Sequence, residues 1–148
     1  MILVQRILLL KDVPLFDGMS PDSLALLAEV AEETTAQKGD KVFEKGSKGD
    51  SLYIVIEGSV RIHDGGKTFA NFEKGDFFGE LSILDHEARS ASATAEADGL
   101  FLRIHQDAFR RILRSHCELA ENLLSVMAQR IRKSVSYSHL TLPTTPYV

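Results

Sequence analysis

Gly79-Glu80-Leu81-Ser82-Ile83-Leu84 and, nine positions after the glutamate, Arg89-Ser90-Ala91 combine residue types and spacing into a binding chemistry. Gly79 follows two phenylalanines, at a point where a residue without a Cβ lets the chain turn sharply, and Glu80 to Leu84 has the composition of one helical turn. Free N–H groups and partial positive charge at the start of such a turn favour an anion, and Arg89 adds a full charge and a two-pronged donor. Ser90 and the amide of Ala91 supply further donors. A carboxylate placed here repels an anion, so Glu80 needs a separate task; accepting a hydroxyl from the same ligand would be one. A ribose carrying a phosphate has both groups. The competing use of the same residues is a Glu80–Arg89 pair across the turn.

Phe78-Gly79-Glu80-Leu81 followed by Arg89-Ser90-Ala91 resembles the phosphate-binding cassette of cyclic-nucleotide-binding domains, which occur in bacterial catabolite-activator regulators, kinase regulatory subunits and gated channels. Gly46, Gly58 and Gly79, together with Glu57-Gly58 and Gly75-Asp76, match the same family, and the likeness runs over roughly residues 7–133. What the resemblance implies is a mainly β fold with flanking helices: an antiparallel, jelly-roll-like β-roll with N-terminal helices and a C-terminal helix pair. It further implies that Glu80 binds the ribose 2′-hydroxyl, that Arg89 binds the cyclic phosphate, and that Ser90 with the amides of Gly79 and Ala91 takes the remaining oxygens. The ligand would be cAMP or cGMP, with Ser90 in place of threonine weighing mildly against guanine, and no cofactor is implied. Phe78, Leu81 and the inward-facing Val60 and Ile62 complete the candidate site. Two features depart from the pattern. Asp85 and Glu87, either side of His86, put carboxylates just before Arg89, where they would weaken an anion site if they pointed inward. No residue of the last helix is marked as the reader of the base, Arg130 being a guess.

The elements that must hold this stretch follow from pattern. Ile2 to Lys11 reads as an apolar helix that packs on something, too short to span a bilayer and without the flanks of a signal peptide. Val13 to Phe16 reads as an extended connector before a proline-initiated helix with Ser20 as N-cap and Pro21 at its first position. Leu24, Leu27, Ala28 and Ala31 form the buried stripe of that helix, and Glu29, Glu32 and Glu33 its wet side. From Thr34 the period becomes that of strands: 41–44, 52–56, 60–63 and 68–72, then 91–97 and 100–104. Three Lys-Gly-Asp turns, starting at Lys38, Lys48 and Lys74, punctuate them, and a hairpin is expected at Asp64-Gly65-Gly66. Ala91, Ala93, Ala95 and Ala97 share one face, where their small size either leaves room for a ligand or lets two sheets approach. Helices are expected over 106–115 and 118–133, the latter with Leu119, Leu123, Val126, Met127 and Ile131 along one side.

The expected organisation is therefore one domain, 1–133, with a helical lead-in to 33, a roll over 34–105 and terminal helices from 106. Residues 134–148 form an uncharged tail, a linker or a foreign stretch, unable to continue a helix past Pro143. Net charge is −4, with 10 basic against 18 acidic residues up to 102 and 7 against 3 over 103–133. An acidic roll argues against nucleic-acid binding by that part, and the basic end reads as a solvated helix face. One cysteine, Cys117, precludes an internal disulfide and fits a reducing, cytoplasmic setting.

Three functions come into question for these residues. The leading one is a regulatory sensor whose long last helix closes on the ligand and reports occupancy, that helix either forming a homodimer seam or packing on its own roll. No helix-turn-helix follows Lys133, so direct DNA contact is not expected, and an output domain is expected to lie elsewhere. The second is a docking module of the same fold that binds no ligand. The third is a cupin-like metal enzyme. It would need two or three convergent histidines, whereas His63, His86, His105, His116 and His139 are widely spaced and no nucleophile has a neighbouring base.

Overall fold

The computed structural model describes residues 1–141, with side chains through 134. Helix α1 (Leu3–Lys11) has its first turn closed by Gln5, whose side-chain oxygen accepts from the amide of Ile2 at 3.1 Å. Leu10 is fully buried, but Ile2, Val4 and Leu8 stay exposed, so only one stripe of this apolar helix is packed. Val13 is extended, as the following proline requires, yet Pro14–Phe16 form a 3-10 turn rather than the extended connector expected. Proline's fixed φ suits the first residue of such a turn. The turn sends Leu15 and Phe16 into the core.

Helix α2 (Pro21–Val30) starts as its sequence dictates, Ser20 Oγ accepting from the amide of Ser23 at 3.2 Å. It stops early. Arg6 of α1 donates from Nη1 to the carbonyls of Ala28 (3.1 Å) and Ala31 (2.6 Å), satisfying groups that a further turn would have used. Glu32 and Glu33, expected on the wet side of the helix, instead begin strand β1 (Glu32–Ala36), opposite Arg103 and Leu102.

Seven further strands follow: β2 (Lys41–Phe43), β3 (Ser51–Glu57), β4 (Ser59–Asp64), β5 (Lys67–Glu73), β6 (Phe77–Phe78), β7 (Ser92–Ala95) and β8 (Gly99–His105). They form two four-stranded antiparallel sheets, ordered β1-β8-β3-β6 and β2-β7-β4-β5. Consecutive strands thus alternate between sheets in places, which is how a roll closes. The expected hairpin is present, Asp64 facing Lys67 across Gly65-Gly66. Two of the Lys-Gly-Asp triplets build the same turn: Asp40 accepts from the amide of Gln37 and Asp76 from that of Glu73, each at 2.9 Å.

Strand β3 is covered on both faces. Leu52, Ile54 and Ile56 join Leu102 and Ile104 of β8 in a core shared with Leu10, Phe16, Leu27, Phe109, Leu119 and Leu123 of the helical layer. Val55 turns the other way, into a second core between the sheets with Val60, Phe78, Ala93 and Phe101. The small alanine therefore lies where two phenylalanine rings from the opposite sheet fill the space, which decides for close sheet approach at Ala93. His63, expected on the wet face of β4, is only 7% exposed. The register shifts between Ile62 and His63, and the ring is held by Gly65 O at 2.9 Å and Thr94 Oγ1 at 2.7 Å.

The chain closes with α4 (Gln106–Ser115) and α5 (Cys117–Thr141). Helix α5 runs past Lys133, so the expected boundary there is no break in the helix; Pro143 and the rest of the tail lie outside the described residues. Asn122 of α5 donates to Leu15 O (3.0 Å) and Asp17 O (2.7 Å), tying the last helix to the first turn.

Candidate functional site

Gly79 follows β6 with φ of +88°, a conformation that side chains resist, and a Cβ there would stand 2.9 Å from Arg89 Nη1 and 3.1 Å from Ser51 O. The chain then enters the single helical turn α3 (Leu81–Asp85), with Glu80 as its N-cap residue and Glu80 O accepting from the amides of Ile83 and Leu84, both at 3.1 Å. Ser82 and Ile83 face inward, while Leu81 and Leu84 are exposed. After the turn, Arg89 is locked by its backbone to the β2–β3 loop: its amide donates to Ser47 O and its carbonyl accepts from Gly46, each at 2.8 Å.

The Arg89 side chain is 6% exposed. Nη1 donates to Gly79 O at 2.7 Å and Nη2 to Ser51 O at 2.8 Å, and the guanidinium carbon lies 4.0 Å over the ring of Phe43. Its Nε is buried with no partner. Gly49 makes the fit possible, because a Cβ on it would come within 2.5 Å of Ser82 Cβ and 2.6 Å of Arg89 Nε. Among the described residues no carboxylate forms an ion pair with Arg89. Loss of water lowers the pKa of the guanidinium from its usual value. A buried cation hydrogen-bonded only to carbonyls has no carboxylate in direct contact, Asp50 and Glu80 acting on it only at longer range, and an anion would supply a direct counter-charge.

Glu80 is 5% exposed and is not the partner of Arg89. Arg130 of α5 donates from Nη1 to Glu80 Oε1 at 2.7 Å and from Nη2 to Phe77 O, its guanidinium lying 4.5 Å from the Phe72 ring and 4.3 Å from the Phe77 ring. Burial raises the pKa of Glu80 above the ordinary carboxylate value; the charge of Arg130 opposes that shift without cancelling it. The two oppositely charged groups in the sequence stretch are thus presented separately, the arginine by the roll and the glutamate under the last helix.

The structure brings Gly79 and Arg89 together around Ser51 O and Gly49, while the Glu80 side chain turns to Arg130. Ala91 is buried and Ser90 exposed beside them in sequence. Phe78 and Val60 are committed to the core between the sheets, and Ile62 packs against that core. Asp85 and Glu87 are exposed, Asp85 Oδ1 accepting from the amide of Glu87 at 2.9 Å, so neither carboxylate fills the space at Arg89. Arg130 contacts Glu80, a role that differs from reading a base. Phe43, Gly49 and Ser51 escape sequence reasoning because each acts through a long-range contact. The Gly of Lys48-Gly49-Asp50 was a visible signal, but it reads as a turn.

Residues 33–116 match the family described as the cyclic nucleotide-binding domain. The chain belongs to that family. The Cyclic AMP receptor protein of Thermus thermophilus is 34% identical over 130 residues, covering 84% of this chain and 60% of that protein. The crystal structure of the Thermus thermophilus catabolite activator protein superposes with a TM-score of 0.76 at 32% identity, over 86% of this chain and 62% of that one. The regulatory domain of Toxoplasma gondii PKA, co-crystallised with cAMP, superposes with a TM-score of 0.75 at 26% identity, over 86% of this chain and 49% of that one. This cyclic nucleotide-binding domain therefore spans less than two-thirds of each of these relatives. Their names are those of a receptor, an activator and a regulatory domain, and the β-roll expected from the cassette is the fold they share. Among the described residues no group of three or more His, Cys, Asp or Glu is placed to hold a metal ion. No described helix is long and apolar enough to cross a membrane.

Proposed function

We propose that this domain is a cytoplasmic regulatory sensor of a cyclic nucleotide, cAMP or cGMP, acting within a larger signalling protein that carries its output elsewhere. Arg89 takes the cyclic phosphate, Ser90 and the amides of Gly79 and Ala91 take its remaining oxygens, and Glu80 accepts from the ribose 2′-hydroxyl. The observation that carries the reading is Arg89 itself, a buried guanidinium with carbonyl partners only and an unpartnered Nε. Arg130 supports a signalling role, because helix α5 holds the Glu80 oxygen that a ribose would need. A ligand that competes for Glu80 binds one position of α5 more tightly than another, which is the condition for a helix to report occupancy.

The last helix also offers a homodimer seam. Leu124, Ala128 and Ile131 are exposed at steps of four and three, the spacing at which apolar residues pack two helices side by side. A second copy of α5 is the occupant this stripe fits.

Calorimetric titration of the full chain with cAMP and cGMP, with 5′-AMP as control, tests the function. Binding of a cyclic form but not of the open phosphate is expected, and Arg89→Ala should weaken it by ~30-fold or more, as removal of one member of a buried charge pair does. Equal affinity of Arg89→Ala and wild type would remove Arg89 from the site. Absence of any heat or thermal shift with either cyclic nucleotide would sink the sensor reading in favour of a docking module.

A further inference from the structure

The cassette helix α3 has five residues, far fewer than an isolated helix needs to persist. Its ends must be held from outside. At the N-terminal side Glu80 meets Arg130, but the C-terminal side is held by a residue the ligand site does not use. Arg110, in the middle of α4, donates from Nη2 to the carbonyl of Ile83 at 2.6 Å and to Nδ1 of His86 at 3.0 Å. The same Nη2 lies 3.5 Å from His86 Nε2, so the guanidinium rests against the imidazole ring as a whole. His86 is also the one non-glycine residue at positive φ among those described, at +61°, and it forms the left-handed cap of α3. Such a backbone persists where its surroundings fix it.

Two further observations tie this contact to the helical layer. The side chain of Ile83, whose carbonyl Arg110 holds, is 1% exposed and belongs to the same core as Phe109 and Ile112 of α4. Phe109 and Ile112, one residue before Arg110 and two after it, thus anchor this part of α4 in the core that holds Ile83, and α4 in turn packs on α5. Only Glu87 and Ala88 separate His86 from Arg89, so the position of this cap sets where the Arg89 segment begins.

We infer that Arg110 is the positioning residue that fixes the Glu80–Arg89 cassette to the α4–α5 layer. It touches no ligand group; it holds the C-terminal end of α3 and the strained His86 cap, so that a shift of the cassette is passed to α4 rather than absorbed in the loop. The functional part of this inference rests on the reading of Glu80 and Arg89 as the ligand site.

The test is amide hydrogen exchange on the full chain, comparing wild type, Arg110→Ala and Arg110→Lys. The amides of Leu84 and His86, which bond to Glu80 O and Ser82 O, are the reporters. Losing a charge-assisted hydrogen bond is expected to speed their exchange by about tenfold or more in Arg110→Ala, with amides of β3 and β8 unchanged. Arg110→Lys, which keeps a cationic donor, should restore part of the protection. Unchanged exchange at the reporters would overturn the inference, as would an equal acceleration everywhere, which is the mark of a residue that only stabilises the fold. Titration of the same proteins with cAMP separates the two readings. A wild type that binds and an Arg110→Ala that binds about tenfold more weakly supports the positioning role; equal affinities overturn it. A wild type that binds no cyclic nucleotide refutes the sensor function, while the exchange result still decides whether Arg110 holds the cassette.

Discussion

Removing Arg130 should make the stability of this domain strongly dependent on pH, through Glu80. In the native protein Glu80 is buried, its pKa is raised by loss of water, and Arg130 supplies the main opposing attraction. The sign follows directly. A raised folded pKa means the folded state holds the proton more tightly than the unfolded chain, so Glu80 favours folding when protonated. That contribution is lost as pH rises from 4.5, the ordinary value, through the folded pKa. Arg130→Ala removes the attraction and pushes the folded pKa further up, which extends the loss to higher pH. Stranding one member of a buried ion pair costs about 3–5 kcal/mol. Because the Arg130 side chain is 26% exposed against 6% for Glu80, a smaller cost of about 1–3 kcal/mol, that of a buried group left without its partner, applies near neutrality. For a domain of this size that is a fall in Tm of roughly 2–12 °C. Thermal and urea unfolding of wild type, Arg130→Ala, Glu80→Gln and the double variant, each followed from acid to mildly alkaline pH, measures the effect. The deficit of Arg130→Ala should shrink as pH falls and should largely vanish when Glu80 is replaced by glutamine. A deficit that stays constant with pH, or a coupling energy of zero between the two positions, would refute the argument that Arg130 acts by neutralising Glu80.

Three other outcomes follow from the same geometry. Glu80→Gln should weaken cyclic ribonucleotides by about tenfold while leaving 2′-deoxy analogues little changed, since only the former offer the hydroxyl to the lost carboxylate; an equal loss for both would remove Glu80 from the ribose. Gly49→Ala places a Cβ within 2.6 Å of Arg89 Nε and should cost about 1–3 kcal/mol of stability by overpacking, with a matching loss of cyclic-nucleotide affinity as Arg89 is displaced. Unfolding and titration that both match wild type would show that the loop gives way at no cost. Leu124→Glu puts a charge in the exposed stripe on α5 and should shift the chain from dimer to monomer in sedimentation with its Tm little changed; a wild type that is already monomeric would dismiss the seam.

Much of the fold was legible because local rules write it. Ser20-Pro21 opens a helix, Gly65-Gly66 makes a two-residue hairpin loop, and the alternation in β8 names its faces. The misreadings mark where local rules are overruled. Val13 to Phe16 was read as extended because proline constrains the residue before it, but the residues after it were free to form a 3-10 turn and bury Leu15 and Phe16. Glu32 and Glu33 continue a helical pattern in sequence, yet Arg6 ends the helix from another element and β8 recruits them as a strand. The end of α5 is not legible locally, because an uncharged, serine-rich segment carries little intrinsic preference either way.

The sequence by itself determined the family and the two charged groups of the site, since Gly79, Glu80 and Arg89 at their spacing are a local pattern that needs no partner to be read. Only the tertiary structure decided how those charges are disposed. Whether Glu80 and Arg89 neutralise each other depends on where the loop around Gly49 and Ser51 and the helix carrying Arg130 arrive, contacts made 38 and 50 residues away. Burial then sets their chemistry, because the same two side chains on an open surface would be solvated, ordinary in pKa and indifferent to an anion.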